Sequence, residues 1–130
     1  MSTETNKTVV RRYIEEVINQ GNLDLIDEFF APPMRERVRG FLSGGDDAFP
    51  DGHQEIQDIV AEGDKVMVRW IFRGTQLGTF MGLPPTGKPV EVIGYATYVL
   101  ENGQIVWDTM SMEWTDALDQ LGAVISPSRA

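Results

Sequence analysis

The chain predicts an α+β domain, in which N-terminal helices pack on one face of a curved antiparallel sheet. Two observations carry this prediction. Apolar residues recur every three or four positions through the first 45 residues, and every second position from residue 53 onward. Helices that precede a run of consecutive strands are typical of this class. A cone closed at one end by helices follows, with an apolar ligand pocket inside it.

Three helices are predicted before the sheet. The first begins near Thr5 and ends at residues 19–21, where a glycine can take the left-handed conformation past the helix end. A second, shorter helix ends at Pro32, and a third runs from Met34 to the glycines at 44–45. The apolar face of the first helix comprises Val10, Tyr13, Ile14, Val17 and Ile18.

Four strands are predicted after the helices. The first begins at residue 53 and ends at a hairpin turn, and an Asn-Gly pair at 102–103 marks a second hairpin. In the first strand Gln54, Ile56 and Asp58 are expected to share one face. The other three strands are expected over residues 66–73, 90–100 and 105–114, with a closing helical turn over 116–121.

Residues 74–90 form the most distinctive stretch, because four glycines and three prolines lie between two long strands. Glycine supplies left-handed backbone conformations, and proline fixes φ and excludes helix. We expect a structured loop that rims the concave side of the sheet.

Length and composition exclude several classes of protein. At 130 residues the chain is expected to form one domain, with a loose tail from about residue 124. A formal net charge of -9 argues against binding nucleic acid or an anionic membrane. The absence of cysteine excludes disulfides and thiolate sites, and a single histidine leaves no pattern for a metal. No apolar signal or membrane span is present, so a cytoplasmic location is expected.

The loop and several shorter segments resemble one family. Residues 78–88 (Gly-Thr-Phe-Met-Gly-Leu-Pro-Pro-Thr-Gly-Lys) resemble the SnoaL-like polyketide cyclases, also called ester cyclases, of the NTF2-like superfamily. Shorter similar segments cover nearly the whole chain, at residues 12–22, 49–51, 61–66, 102–106 and 118–122. The resemblance implies an α+β cone, a dimer or higher oligomer, no cofactor, and intramolecular aldol closure of a polyketide ester.

The resemblance also implies where the chemistry lies. In that family an acid on the final strand acts as acid and base, assisted by polar residues on the strand before it. Counting back from residues 121–122 places this acid at Glu113. Two departures stand out: Ala96 and Tyr98 occupy the positions of the family's Gln and His, and the connection at residues 31–34 is short.

Strand alternation gives the same first candidate and one competitor. Glu113 is expected in one cavity with the phenol of Tyr98, where an apolar pocket would let the carboxyl act as acid or base. Asp108 is the competitor, because a bulge would reverse the face assignment. His53 is a third candidate as the only histidine, with a surface role as its alternative. The expected pocket face of the last strand holds Trp107, Thr109, Ser111 and Glu113.

A second set of residues is expected to contact a ligand. Tyr13 can point its hydroxyl into the cavity from the first helix, and core packing is the competing explanation for the other aromatic residues. The expected ligand contacts are Tyr13, Trp70, Phe80, Met81, Ala96, Trp107 and Ser111.

Apolar residues on the outer face of the sheet predict a homodimer or higher oligomer through that face. The residues expected there are Met67, Arg69, Ile71, Met110 and Met112.

Two functions remain open from the sequence. One is a cofactor-free enzyme that removes a proton next to a carbonyl of a polyketide-like small molecule, with Glu113 as acid and base and Tyr98 as donor. The other is a non-catalytic module that binds a small molecule or assembles on the same fold. The missing Gln and His favour the second, and a buried acid in a large pocket would favour the first.

Overall fold

The computed structural model describes residues 2–45 and 48–123. Helix α1 (Thr3–Arg12) continues directly as a π-helical segment (Tyr13–Asn19). A 3₁₀ turn (Leu23–Leu25) leads into the short helix α2 (Ile26–Phe29), and α3 spans Pro32–Gly45. The three expected helices are present. The third begins earlier than expected, since proline is well suited to the first helical turn, where its missing N–H has no partner to lose.

The sheet has four antiparallel strands in the order β1-β2-β3-β4. They are β1 (His53–Glu62), β2 (Lys65–Thr75), β3 (Pro89–Glu101) and β4 (Gln104–Met112), followed by helix α4 (Trp114–Gln120). The predicted α+β architecture is confirmed, and each strand lies within a few residues of its expected position. The expected tail from residue 124 lies outside the described residues.

A bulge in β4 changes which residues face the helices. Leu100 pairs with Ile105, whereas Val99 pairs with Trp107, so one residue of β4 has no partner on β3. Ile105 and Asp108 therefore point to the same side although three positions separate them. Of the odd-numbered residues expected on the pocket face, Ser111 and Glu113 therefore do not line the cavity, whereas Trp107 and Thr109 border it.

A second bulge, in β1, has the same effect on Asp58. Ile56 pairs with Trp70, but Asp58 pairs with Arg69, and Gln57 is left over. Asp58 therefore lies on the outer face, where its carboxylate is 3.6 Å from the Arg69 guanidinium. The expectation that it shares a face with Ile56 is wrong for this reason.

The main core lies between the inner face of the sheet and the helices α1 to α3. Trp70 is fully buried at its centre, and its indole lies against Gly94 of β3. A Cβ added at Gly94 would be 2.0 Å from two carbons of the indole ring. The core comprises Val10, Tyr13, Ile14, Val17, Ile26, Phe29, Phe30, Met34, Val38, Val66, Val68, Trp70, Ala96, Tyr98, Leu100 and Ile105.

The loop between β2 and β3 is organised around one buried amide. Gln76 is fully buried. Its Nε2 donates to the carbonyl oxygens of Gly78, Leu83 and Pro84 at 3.0, 2.9 and 3.2 Å. Its Oε1 accepts from the backbone N–H and the hydroxyl of Thr86 at 3.0 and 2.7 Å. The amide thus replaces the backbone ladder that the prolines of the loop cannot form.

The outer face of the sheet carries exposed apolar side chains. Val60, Met67 and Tyr95 are 60, 55 and 46% exposed there. Met110 and Met112, expected on this face, instead pair with Ala96 and Gly94 and so point inward. An oligomer through the outer face stays a prediction.

Replacing Gln76 with Ala should lower the free energy of unfolding by about 2–4 kcal/mol, since several buried polar groups lose their partner at once. Denaturant unfolding followed by circular dichroism measures this. Gln57→Ala, at the exposed bulge of β1, is the matched control and should change stability by less than about 0.5 kcal/mol. An equal loss in both variants would contradict the role assigned to Gln76.

Replacing Gly94 with Ala should lower the free energy of unfolding by about 1–3 kcal/mol, because the new methyl group overlaps the Trp70 ring. Gly40→Ala is the control: a Cβ there meets nothing within 4 Å, in the interior of α3. The free energy of unfolding of that variant should rise by up to about 1 kcal/mol, because Ala has a higher helix propensity than Gly. Thermal unfolding of both separates steric overlap from a general effect of removing glycine.

Candidate functional site

A cavity with two adjoining chambers lies between the inner face of the sheet, the helices and the β2–β3 loop. We name them the Asp108 chamber, of about 430 Å³, and the Phe80 chamber, of about 370 Å³. Both volumes lie in the range of small-molecule sites. The two chambers share a wall formed by Ile18, Phe41, Leu42, Gln54 and Met110.

Among the described residues, Asp108 is the one carboxyl that lines the Asp108 chamber. The β4 bulge turns it inward opposite Tyr98. Its side chain is 24% exposed, and its Oδ1 accepts a hydrogen bond from Nη2 of Arg37 at 2.7 Å. Burial raises the pKa of the Asp108 carboxyl above its ordinary value, and the neighbouring Arg37 only partly opposes this. This carboxyl therefore keeps its proton to a higher pH than an exposed aspartate does.

Two phenols lie beside this carboxyl. Tyr13 on the π-helical segment and Tyr98 on β3 are both buried, with ring centroids 5.9 Å apart in edge-to-face contact. Burial raises the pKa of both phenols, and the Asp108 carboxylate raises it further. Both therefore stay protonated at neutral pH, so they can donate a hydrogen bond but cannot act as bases.

Arg37 of α3 closes the open side of the Asp108 chamber. Its guanidinium lies 5.1 Å from the ring centroid of Trp107, besides its ion pair with Asp108. Arg37 and Trp107 are each about half exposed. The positive charge at the mouth of this chamber is therefore held by one aromatic ring and one carboxylate.

Gln54 lies at the boundary of the two chambers, and Asn19 fixes its backbone. The side-chain amide of Asn19 donates to the Gln54 carbonyl oxygen and accepts from the Gln54 N–H, both at 2.8 Å. These two hydrogen bonds join the start of β1 to the end of the π-helical segment. They occupy only the backbone of Gln54, and its side chain faces the cavity.

The Phe80 chamber is apolar and borders the β2–β3 loop. The ring centroid of Phe80 is 5.1 Å from that of Phe49 and 6.0 Å from that of Trp114. Met81, also a lining residue, adopts a φ of 49° in the tight turn beside Gly82. Phe80 and Met81 both line this chamber, and their contact with a ligand stays a prediction.

Three expected site residues lie away from the cavity. Glu113 is exposed and precedes α4 as its N-cap, so the expectation that it shares a cavity with Tyr98 is wrong. The β4 bulge is the reason, because it reverses the alternation on which that expectation depends. Ser111 pairs with Tyr95 on the outer face, and His53 lies at an exposed groove beside Asp51 and Arg73.

The remaining expected contacts lie at or near the Asp108 chamber. Tyr13, Trp70, Tyr98 and Trp107 line it. Ala96 is buried on the inner face and packs in the core. A groove of about 490 Å³ on the outer face lies across the sheet from Tyr98 and Asp108, so it is no part of this site.

Two members of the site were not among the predicted site residues. The charged run 35–39 that contains Arg37 is typical of a solvated helix face, with binding of an acidic substrate at a pocket mouth as the alternative, and Gln54 was placed only by strand alternation. The one available signal for Arg37 was its position one residue before Val38, on the edge of the apolar stripe of α3. Gln54 gave a signal only as a polar residue on the apolar face of β1.

A family model identifies the family of this chain. The model of the SnoaL-like polyketide cyclase family matches residues 8–122. The chain belongs to this family. No curated protein matches.

Solved structures of similar proteins agree with the assignment of this chain as a SnoaL-like protein. IdmH of Streptomyces antibioticus, a candidate polyketide cyclase, is 29% identical with a TM-score of 0.82, over 90% of this chain and 98% of IdmH. AclR of Streptomyces galilaeus, a candidate hydroxylase, is 25% identical with a TM-score of 0.84, over 95% and 100%. A candidate SnoaL-like polyketide cyclase of Jannaschia sp. CCS1 shares the fold, at 23% identity and a TM-score of 0.86 over 95% of each chain.

Two further properties of this SnoaL-like protein concern only its described residues. Within 2–45 and 48–123, no three His, Asp or Glu side chains come together as metal ligands would. No helix in those ranges is long and apolar enough to cross a membrane.

Asp108→Asn should make the SnoaL-like protein more stable than wild type at pH 7. The folded-state pKa of Asp108 is raised, so the stabilising contribution of this carboxyl is fully present below the ordinary value of 3.8 and is lost as pH rises through the folded-state pKa. Asn resembles the protonated acid at every pH. The stability gain should therefore vanish on acidification toward pH 3.8, as measured by denaturant unfolding across the pH range.

Arg37→Met is the complementary control. Without the guanidinium the pKa of Asp108 rises further, so the pH-dependent loss of stability should become larger than in wild type. A destabilised Asp108→Asn variant at pH 7 would contradict the assigned direction.

Proposed function

We propose that this SnoaL-like protein is an acid–base enzyme that closes a ring by an intramolecular aldol reaction of a polyketide-like small molecule. The observation that supports this most is Asp108. It is a carboxyl with a raised pKa that lines an otherwise mostly apolar chamber beside two protonated phenols. Its position on the last strand also fits the acid that the family resemblance implies, five residues before Glu113.

The proposed reaction needs one group that first accepts and then returns a proton. The Asp108 carboxylate takes a proton from the carbon next to a substrate carbonyl, and the C–H electron pair forms an enolate. The enolate carbon then attacks a second carbonyl of the same molecule and forms the C–C bond. The protonated Asp108 returns its proton to the new alkoxide, which leaves a β-hydroxy ketone and the starting carboxylate.

Arg37 is the proposed electrostatic partner of this step. Its guanidinium already pairs with the carboxylate, and its half-exposed side chain leaves it room to move when a substrate enters. A positive charge at the chamber mouth would stabilise the negative charge that develops on the enolate oxygen. The phenols of Tyr13 and Tyr98 are the neighbouring donors.

The Phe80 chamber is the proposed place for the rest of the substrate. It adjoins the Asp108 chamber and is lined largely by apolar residues, among them Phe49, Phe72, Phe80 and Met112. A long apolar or polycyclic body would bury its surface there while its reacting carbonyls lie near Asp108.

A binding module without catalysis is the second candidate. The Arg37–Asp108 ion pair favours it, since a carboxylate engaged at 2.7 Å is less available as a base. In that case the pair would close the chamber mouth, and the protein would hold a ligand without changing it.

Proton removal distinguishes the two candidates. Methyl 2-naphthoylacetate, an aryl β-keto ester, is incubated with the protein in D₂O, and deuterium uptake at its methylene group is followed by NMR. The enzyme hypothesis predicts uptake above the buffer rate, reduced by roughly 10²–10⁴-fold in Asp108→Asn. Uptake at the buffer rate with wild type, despite binding of the ester, would support the binding module.

Glu113→Gln supplies the matched control for that assay. It makes the same charge change just after the end of the same strand, at an exposed position. Exchange should continue at the wild-type rate in this variant. Loss of exchange in Glu113→Gln with retention in Asp108→Asn would overturn the assignment.

A further inference from the structure

Trp70 holds a hydrogen-bond donor that has no acceptor among the described residues. The residue is fully buried, and its Nε1–H is enclosed without a partner. Most buried polar groups in folded proteins are hydrogen-bonded, so an exception calls for an explanation. Trp70 is among the residues that border the Asp108 chamber, which provides one: a ligand that displaces the side chains now covering the N–H would supply the acceptor.

The sheet holds this donor in one orientation. The carbons of the benzo edge of the indole lie against Gly94, at 2.0 to 2.6 Å from where a Cβ would stand. The edge that bears Nε1 is opposite, so it is turned away from β3. Because the ring cannot shift toward β3, the side chains that cover the N–H, and not the indole, would move when a ligand enters.

Gln54 gives the same chamber a second unsatisfied polar atom. Its Oε1 is buried and has no partner within the described ranges. Asn19 occupies the Gln54 backbone N–H and carbonyl, so the side-chain amide remains for the cavity. Two such atoms on one chamber wall favour a ligand with polar groups over a plain hydrocarbon.

The charge and lining of the chamber limit the ligand further. The protein carries a formal net charge of -9, and the carboxylate and guanidinium that the described residues place in the chamber, Asp108 and Arg37, already pair with each other. An uncharged ligand therefore fits best. Tyr13, Phe41 and Trp107 supply aromatic walls, which suit a planar ring system.

We propose that Trp70 is a substrate-binding residue whose Nε1–H donates a hydrogen bond to the carbonyl oxygen of an uncharged, planar aryl ketone. This rests on the proposed function only in that the same carbonyl activates the carbon from which Asp108 takes a proton. Binding itself needs no turnover, so it is tested separately.

The indole N–H resonances of the ¹⁵N-labelled protein report on this bond directly. The three tryptophans give three signals, which Trp70→Phe, Trp107→Phe and Trp114→Phe assign. The probes are 2-acetylnaphthalene and its carbonyl-free counterpart 2-ethylnaphthalene. The ketone should move the Trp70 signal downfield, as a new hydrogen bond does, and the hydrocarbon should not.

Affinity gives the second measurement. Wild type should bind the ketone roughly two- to tenfold more tightly than the hydrocarbon, the range expected for one net hydrogen bond between neutral groups. Trp70→Phe should lose this preference, whereas Trp107→Phe should keep it even if both affinities fall. If Trp70→Phe does not fold, the wild-type shifts with the two probes still decide.

Three results would overturn the inference: a Trp70 signal that stays in place while the ketone binds, equal wild-type affinity for both probes, or binding of neither. The proposed function fails differently. If Asp108→Asn leaves deuterium exchange unchanged while the ketone still shifts the Trp70 signal, the acid–base role is wrong and the Trp70 contact stands.

Discussion

The candidate site depends on one unpaired residue in the last strand. Without the bulge between Ile105 and Trp107, strict alternation would carry Trp107 into the core face and turn Asp108 toward solvent. With it, Ile105 can anchor β4 against Phe30 and the core, and Asp108 can still face the cavity. The bulge thus lets β4 turn an odd-numbered residue, Ile105, and an even-numbered residue, Asp108, to the same side of the sheet. An edge strand tolerates such a bulge, and within the described part of the chain no further strand pairs with the other side of β4.

Much of the fold could be predicted from the sequence because it depends on periodicity and on turn residues. The change of period near residue 53, the Asn-Gly hairpin and the glycine- and proline-rich loop each have a local physical cause. The element order therefore agrees with expectation, and so does the family. The loop by which the family is recognised is held by Gln76, whose burial has no local pattern. Its five hydrogen bonds join it to four residues that lie two to ten positions away, so only the folded loop brings them to it.

The site was harder to predict, because it depends on pairing between strands. Strand alternation gave Glu113, and only the register of β4 against β3 shows that Asp108 faces Tyr98. A bulge needs no glycine or proline, and residues 105–108 carry none. Arg37 is a similar case, since its partners Asp108 and Trp107 lie about 70 residues further along the chain. Tyr13 and Trp70 could be found because a large aromatic on an inner face has few other places to lie.

The π-helical segment Tyr13–Asn19 follows α1 directly and has a different helical repeat. The side chains after it therefore point in directions that the repeat of α1 does not determine. Tyr13 and Ile18 both line the Asp108 chamber although five positions separate them, a spacing that a π-helix brings to one side and an α-helix does not. Deleting one residue within the segment would restore the α-helical repeat and rotate everything after it by roughly 100° relative to α1. A single insertion or deletion in this segment can thus change which side chains form one wall of the cavity. The packing of Val10 and the preceding turns on the sheet would stay as it is.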